Sequence, residues 1–221
     1  MQVRQNELFT MDRKPVAVET ESLKARSSHY SKVKDRKTEI RNLIRKETAA
    51  EAISGFSQGA EIFGFTKGQF SLIQLIEAVA DIIGPSDATI STWTAANTDL
   101  AAANEFLQSG KLTSARFLLD FSFQRRAPGM ANVIRETFGF ESIRVSRVHA
   151  KFVLMRNDDW SVVIRTSMNL NTNPRFEDFT LSDDPAMADF LENIVDELFQ
   201  RQSTNDADKP PSHHKSAFAT F

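Results

Sequence analysis

The apolar positions change period several times along the chain, and each change predicts an element. From residue 69 onward Phe70, Ile73, Ile76, Val79, Ala80 and Ile83 recur at helical spacing until Gly84-Pro85 stop the pattern. β-branched and aromatic residues over 88–95 then predict a strand, and 99–108 predicts a second helix closed by Gly110. The near-continuous apolar run of Phe117, Leu118, Leu119 and Phe121 predicts a strand over 115–123 that is covered on both faces. A short helix over 130–138 ends at Gly139, a strand over 142–148 follows, and Asn157-Asp158-Asp159 supplies the turn between two long final strands. After a turn-rich stretch through Asn171, Asn173 and Pro174, the spacing of Met187, Phe190, Leu191, Ile194, Val195 and Leu198 behind Pro185 predicts a last helix. Strands separated by such helices imply βαβ units. The expected class is therefore α/β, with a mixed, largely parallel β-sheet sandwiched by helices.

On either side of this region the periodicity fades. Residues 1–52 are polar and read as a basic, partly helical arm, in which Ile40, Leu43 and Ile44 give a narrow apolar stripe to a helix over 34–52. Residues 53–68, rich in Gly and Phe, read as a connecting loop or short strand that carries no site. From residue 203 to 221 Asp, Lys, Pro, Ser and His follow one another without period, the pattern of a disordered tail. The expected organisation is an arm over 1–52, one domain over 53–202 and a tail over 203–221. Composition fits this: 221 residues suffice for one domain, and a 41% apolar share with 18 Phe supplies a substantial core.

Charge narrows the function classes. A net charge of -2 and a pI near 6.1 give no global basis for holding a polyanion, so any basic surface must be local. Lys32, Lys34, Arg36, Lys37, Arg41 and Arg45 in the arm are the candidates for nucleic-acid contact; the alternative is a plainly solvated face. The absence of Cys excludes disulfides, a thiol nucleophile and cysteine metal sites, and the four His have no zinc-ligand spacing. Neither metal nor cofactor is expected. No stretch approaches the roughly 18 apolar residues of a membrane span, and the first ten residues lack a signal-like apolar core. A cytoplasmic protein that does not contact the membrane is the expectation.

Chemistry concentrates at two places. His149 and Lys151 are two apart, which in an extended chain puts them on one face with Ala150, Phe152 and Leu154 on the other. Ser167 and Asn169 repeat the spacing beyond the following strand. An imidazole, an ammonium, a hydroxyl and an amide at the ends of adjacent strands suit an oxyanion such as phosphate. Each pair alone has an ordinary reading: a His-x-Lys pair arises by chance, and Ser and Asn serve turns and caps. Trp93 and Trp160 read as packing residues.

Taken together, His149-Ala150-Lys151, Ser167-Met168-Asn169 and Glu177 resemble one copy of the signature of the phospholipase D superfamily, H-x-K-x4-D followed by G-S-x-N and a downstream acid. The order of elements from about residue 69 to 198 resembles one superfamily lobe, and 169–179 is similar to phage and prophage relatives. The resemblance implies a phosphodiesterase in which His149 attacks phosphorus to form a phosphohistidine. Lys151 and Asn169 would hold the non-bridging oxygens, Ser167 would add a hydroxyl donor, and Glu177 would orient an imidazole, all without a metal. Family members with one motif complete the site as homodimers, which implies that two His149 side chains meet across a two-fold axis. His213-His214-Lys215 repeats the H-x-K spacing only in the Pro-flanked tail. Two positions depart from the signature: Arg156 stands at the aspartate and Thr166 at the glycine. The expected function is a homodimeric nuclease acting on nucleic acid, DNA foremost. The alternatives are a non-catalytic nucleic-acid-binding or assembly module and a phospholipid phosphodiesterase.

Overall fold

The computed structural model of the protein describes residues 48–123, 129–171 and 174–202. The six arm cations from Lys32 to Arg45 and the tail over 203–221 lie outside the described residues. Only the end of the helix expected over 34–52 lies inside them, and it is a separate element. Thr48 has an extended backbone and caps a one-turn helix, α1 (Ala49–Ala52), through a reciprocal capping box with Glu51, so no continuous helix runs through this point.

The remaining elements are β1 (Glu61–Thr66), α2 (Leu72–Ile83), β2 (Ser86–Thr92), α3 (Asn97–Gln108), β3 (Leu112–Asp120), α4 (Met130–Phe138), β4 (Ile143–Ser146), β5 (Phe152–Arg156), β6 (Ser161–Thr166), β7 (Glu177–Asp183) and α5 (Pro185–Arg201). Local chemistry sets their ends. Ser71 and Gln74 form a capping box at the start of α2, and Gly84 ends that helix at φ 80°, a left-handed conformation that a side chain would oppose. Asp184 caps α5 by accepting from the Met187 amide, with Pro185 in the first turn.

All seven described strands join one sheet in the order β1-β7-β6-β5-β2-β3-β4. The class is α/β and the sheet is mixed, but the expectation of a largely parallel sheet is corrected. Only β2–β3 and β3–β4 pair in parallel, and the other four pairings are antiparallel. The parallel half is the part built from βαβ units, while the antiparallel half comes from the β5–β6 hairpin together with β7 and β1. The unexpected strand is β7, in which Phe179 and Leu181 alternate into the core as fully buried residues.

Alternation divides the interior in two. On one face Ile90, Phe117, Leu119, Val153, Ile164 and Phe179 join a large core with residues of α1, α2, α3 and α4. On the other, Leu118, Phe152, Leu154 and Val163 pack against Ala188 and Val195 of α5. Neither β7 nor β1 contributes an apolar residue to this second cluster, although Ser182 of β7, opposite Val163, is buried on the same face. No described helix is long and apolar enough to cross a membrane.

Candidate functional site

One edge of the sheet gathers the candidate residues. The parallel strands β2, β3 and β4 end there, as do β6 and β1, whereas β5 and β7 begin there, because their pairings with those neighbours are antiparallel. His149 and Lys151 therefore immediately precede β5, Ser167 and Asn169 follow β6, and Glu177 opens β7. This corrects the strand expected over 142–148, which ends at Ser146 and leaves His149 and Lys151 in an irregular lead-in rather than within a strand. The lead-in is anchored through its backbone. The Ser91 hydroxyl donates to the Ala150 carbonyl at 2.9 Å, and the Thr166 amide donates to the Lys151 carbonyl at 3.2 Å.

Glu177 ties the cluster together. Its carboxylate accepts a short hydrogen bond from the Ser167 hydroxyl, whose oxygen in turn accepts from the Asp178 amide at 3.0 Å. Lys151 donates to the His149 carbonyl at 3.1 Å. Partial burial lowers the pKa of this ammonium below its ordinary value, with the charge of Glu177 opposing the shift. Ser167 and Asn169 alternate with Met168 and Leu170, which are buried at 4% and 0%, so the spacing read from the sequence does put the two polar residues on the side away from the core. Asn169, Asn171, Glu177, Thr66 and Ser71 line a small pocket at this edge. The side-chain oxygens of Asn169 and Asn171 are buried there with no hydrogen-bond partner among the described residues, acceptors that a bound donor would satisfy. His149 is exposed, and its ring lies 6.0 Å from that of Trp93, tilted by 57°. Trp93 thus flanks the imidazole, beyond the packing role expected of it, whereas Trp160 does pack, stacking on Phe56 at 5.7 Å.

Both departures from the signature have local explanations. Thr166 does what glycine cannot: its hydroxyl donates to the Asp178 carbonyl at 2.5 Å and accepts from the Met168 amide at 2.9 Å, shaping the turn that carries Ser167 and Asn169. Arg156 sits at the opposite end of β5 from Lys151 and binds two carboxylates of α5, Asp189 at 2.8 Å and Glu192. Arg116 of β3 shares Glu192 and adds Asp196, making a clamp between sheet and helix. Arg156→Asp, which installs the aspartate of the signature described above, should therefore destabilise the fold by about 1–3 kcal/mol, since it exchanges partly exposed ion pairs for like-charge contacts. A urea midpoint equal to that of the parent protein would sink this account of the clamp.

Sequence reasoning assigned no site to 53–68, yet Thr66 reaches the pocket. The available signal was Ile62, Gly64 and Thr66 alternating with Phe63 and Phe65, which marks a strand with apolar residues on both sides. Among the described residues no group of three or more His, Asp or Glu is arranged to hold a metal.

No protein-family model matches the chain, and no curated protein is detectably similar to it. Solved structures of similar shape include polyphosphate kinase from Porphyromonas gingivalis, at 13% identity and a TM-score of 0.46, over 72% of this chain and 30% of that one. NucT from Helicobacter pylori matches at 10% identity and 0.45, over 64% of this chain and 97% of its own. Nuc from Salmonella typhimurium, a phospholipase D family member, matches at 12% identity and 0.42, over 64% and 94%. This chain spans less than a third of the polyphosphate kinase. Likenesses at such identities and scores leave activity to be argued from the chain's own residues.

Proposed function

We propose that the protein is a metal-independent phosphodiesterase acting on nucleic acid, DNA foremost, through a phosphohistidine, and that it works as a homodimer. The observation that carries this reading is the convergence on Glu177. The carboxylate that accepts from Ser167 also lies in the field of the Lys151 ammonium and shares its pocket with Asn169. In this reading an imidazole nitrogen of His149 attacks phosphorus, and the P–O bond to the leaving strand breaks as the His149 of a second copy protonates the departing oxygen. The second imidazole then takes a proton from water, which attacks phosphorus and releases His149. Lys151, Asn169 and Ser167 stabilise the charge that gathers on the non-bridging oxygens. The arm cations Lys32, Lys34, Arg36, Lys37, Arg41 and Arg45 are proposed to track the phosphate backbone.

Purified full-length protein is expected to cut DNA in EDTA and to sediment as a dimer at micromolar concentration. Cleavage that requires added magnesium, or that proceeds in a strict monomer, overturns the mechanism. A second reading, a binding module without turnover, is favoured by the commitment of Arg156 to α5. Under that reading the same assay yields salt-sensitive binding and no product.

Lys151 makes the pH dependence specific. Its charged form is needed on phosphate and its pKa is lowered by burial, so cleavage should fall off on the alkaline side at a pH below the ordinary lysine value. The stability of the unliganded protein should move the other way. Between the lowered folded pKa and the unfolded value the unfolded chain binds more protons, so this residue's contribution rises with pH. Lys151→Arg, which cannot lose its charge in this range, should remove the alkaline limb. An unchanged pH profile in that variant assigns the limb to another group.

A further inference from the structure

Beside the candidate site, part of the sheet lies open. Where the cover of α5 ends, the outward residues of β1 are Phe63 and Phe65, 58% and 41% exposed, with Phe176 61% exposed next to them. The rings form a row: Phe63 meets Phe65 edge-on at 5.1 Å, and Phe65 stacks on Phe176 at 4.9 Å and 21°. Three large aromatics in mutual contact on a solvent-facing surface constitute a patch, unlike a single exposed apolar side chain. The row ends at the same edge of the sheet as the site but on its opposite face: Phe65 and Phe176 immediately precede Thr66 and Glu177, which pair in the β1–β7 register and point to the other side. Cations border it. Arg165 lies on the same face in the cross-strand row Arg165–Thr180–Phe63, and Lys67 and Arg175 flank the rings in sequence. All three are exposed and make no ion pair among the described residues. Asp178 and Glu61 are the acids on this face, and Glu61, at the far end of β1, already has a partner.

We propose that Phe63, Phe65 and Phe176 form a base-stacking platform that seats single-stranded polynucleotide at the sheet edge that carries the His149–Glu177 cluster. The inference rests on the phosphodiesterase reading for its placement and extends it to the strandedness of the substrate. Bases in a duplex are already stacked on one another, so exposed rings select unpaired ones, while bordering cations hold the backbone. A second copy of the chain is the poorer occupant. A two-fold contact over this face would bury Arg165, Lys67 and Arg175 from both copies, six cations that a polynucleotide backbone neutralises directly.

The test uses the full-length His149→Ala protein, in which turnover is removed, and fluorescence anisotropy with three probes of equal length: oligothymidylate, the same chain with abasic sites, and a duplex. Oligothymidylate should bind about tenfold or more tighter than the abasic chain, and Phe176→Ala should erase that preference while Phe176→Trp retains it. Equal binding of the abasic probe, or an undisturbed preference in Phe176→Ala, overturns the platform. So does conversion of a dimer to a monomer by Phe176→Ala in sedimentation, which assigns the patch to a second copy. Hydrolysis of bis(4-nitrophenyl) phosphate by the protein with His149 intact tests the phosphodiesterase reading separately. If that diester is not cleaved at all, the phosphodiesterase reading fails, and the anisotropy measurements still decide the platform.

Discussion

Replacing His149 by alanine should lower phosphodiester cleavage by about a thousandfold or more while leaving the unfolding transition in place. The size follows from what one substitution removes. In the proposed homodimeric site each copy would supply the same side chain in two roles, nucleophile in one half and acid–base group in the other, so the variant would lack both. General acid–base catalysis alone contributes about 10²–10⁴ in rate, and loss of the attacking nitrogen closes the covalent route. A thousandfold loss corresponds to about 4 kcal/mol of transition-state stabilisation. Effects within such a unit do not add, so a double variant of His149 and Lys151 should be little worse than His149→Ala alone. The fold should be indifferent, because His149 is exposed in an irregular lead-in and its ring meets only the partly exposed Trp93, at 6.0 Å. Cleavage rates in EDTA, with urea unfolding alongside, decide the matter. Cleavage by the alanine variant at the parent rate would remove His149 from the chemistry.

Much of this site was legible in the sequence because it depends on short-range geometry. The two-residue spacing of Ser167 and Asn169, with Met168 and Leu170 between them, dictates that one pair faces away from the core and the other into it, and the fold places them so. The helices and the β5–β6 hairpin were likewise set by local periodicity and by Gly and Asn turn chemistry. What escaped depends on tertiary contacts. β1, which reads from the sequence as a loop or short strand, carries outward phenylalanines on an edge strand, so its pattern lacks the polar face that normally betrays a half-buried strand, and Gly64 favours the loop. β7 lies in a stretch dominated by turn residues, and only its pairing with β1 and β6 makes Phe179 and Leu181 a core face. Without those two strands the sheet is counted as largely parallel, and Thr66 has no route to the pocket. The two departures from the family signature were visible as substitutions, but their meaning was not. That Arg156 belongs to a clamp on α5 and that Thr166 braces the turn are facts about residues 12 to 36 positions away.

The largest effect on stability is expected from Phe179→Ala, which should cost about 3–5 kcal/mol. Phe179 is fully buried near the middle of β7, between Gly64 and Thr166 in the register, and its ring meets Phe70 edge-on at 5.8 Å. Truncation removes the buried ring and leaves a cavity that two strands and the loop before α2 cannot readily fill, because the backbone on both sides is fixed by ladder hydrogen bonds. Against a total of about 5–15 kcal/mol for a domain, this brings the fold close to its limit. Phe179→Leu, which refills most of the volume, should recover much of the loss. Phe176→Ala provides the contrast, since its ring is 61% exposed and truncation there should stay within about 0.5 kcal/mol. The cost should also reach the site. Glu177 and Asp178 immediately precede Phe179, and the Asp178 amide and the Glu177 carboxylate together fix the Ser167 hydroxyl. At temperatures where the alanine variant is still folded, its cleavage rate should therefore fall more than its substrate affinity, because the donors on the phosphate lose their aim before they lose their charge. Urea midpoints for the three variants test the packing, and kcat against KM tests the coupling. If Phe179→Ala unfolds with Phe176→Ala, β7 is not seated in the core, and the placement of Glu177 beside Ser167 loses its support.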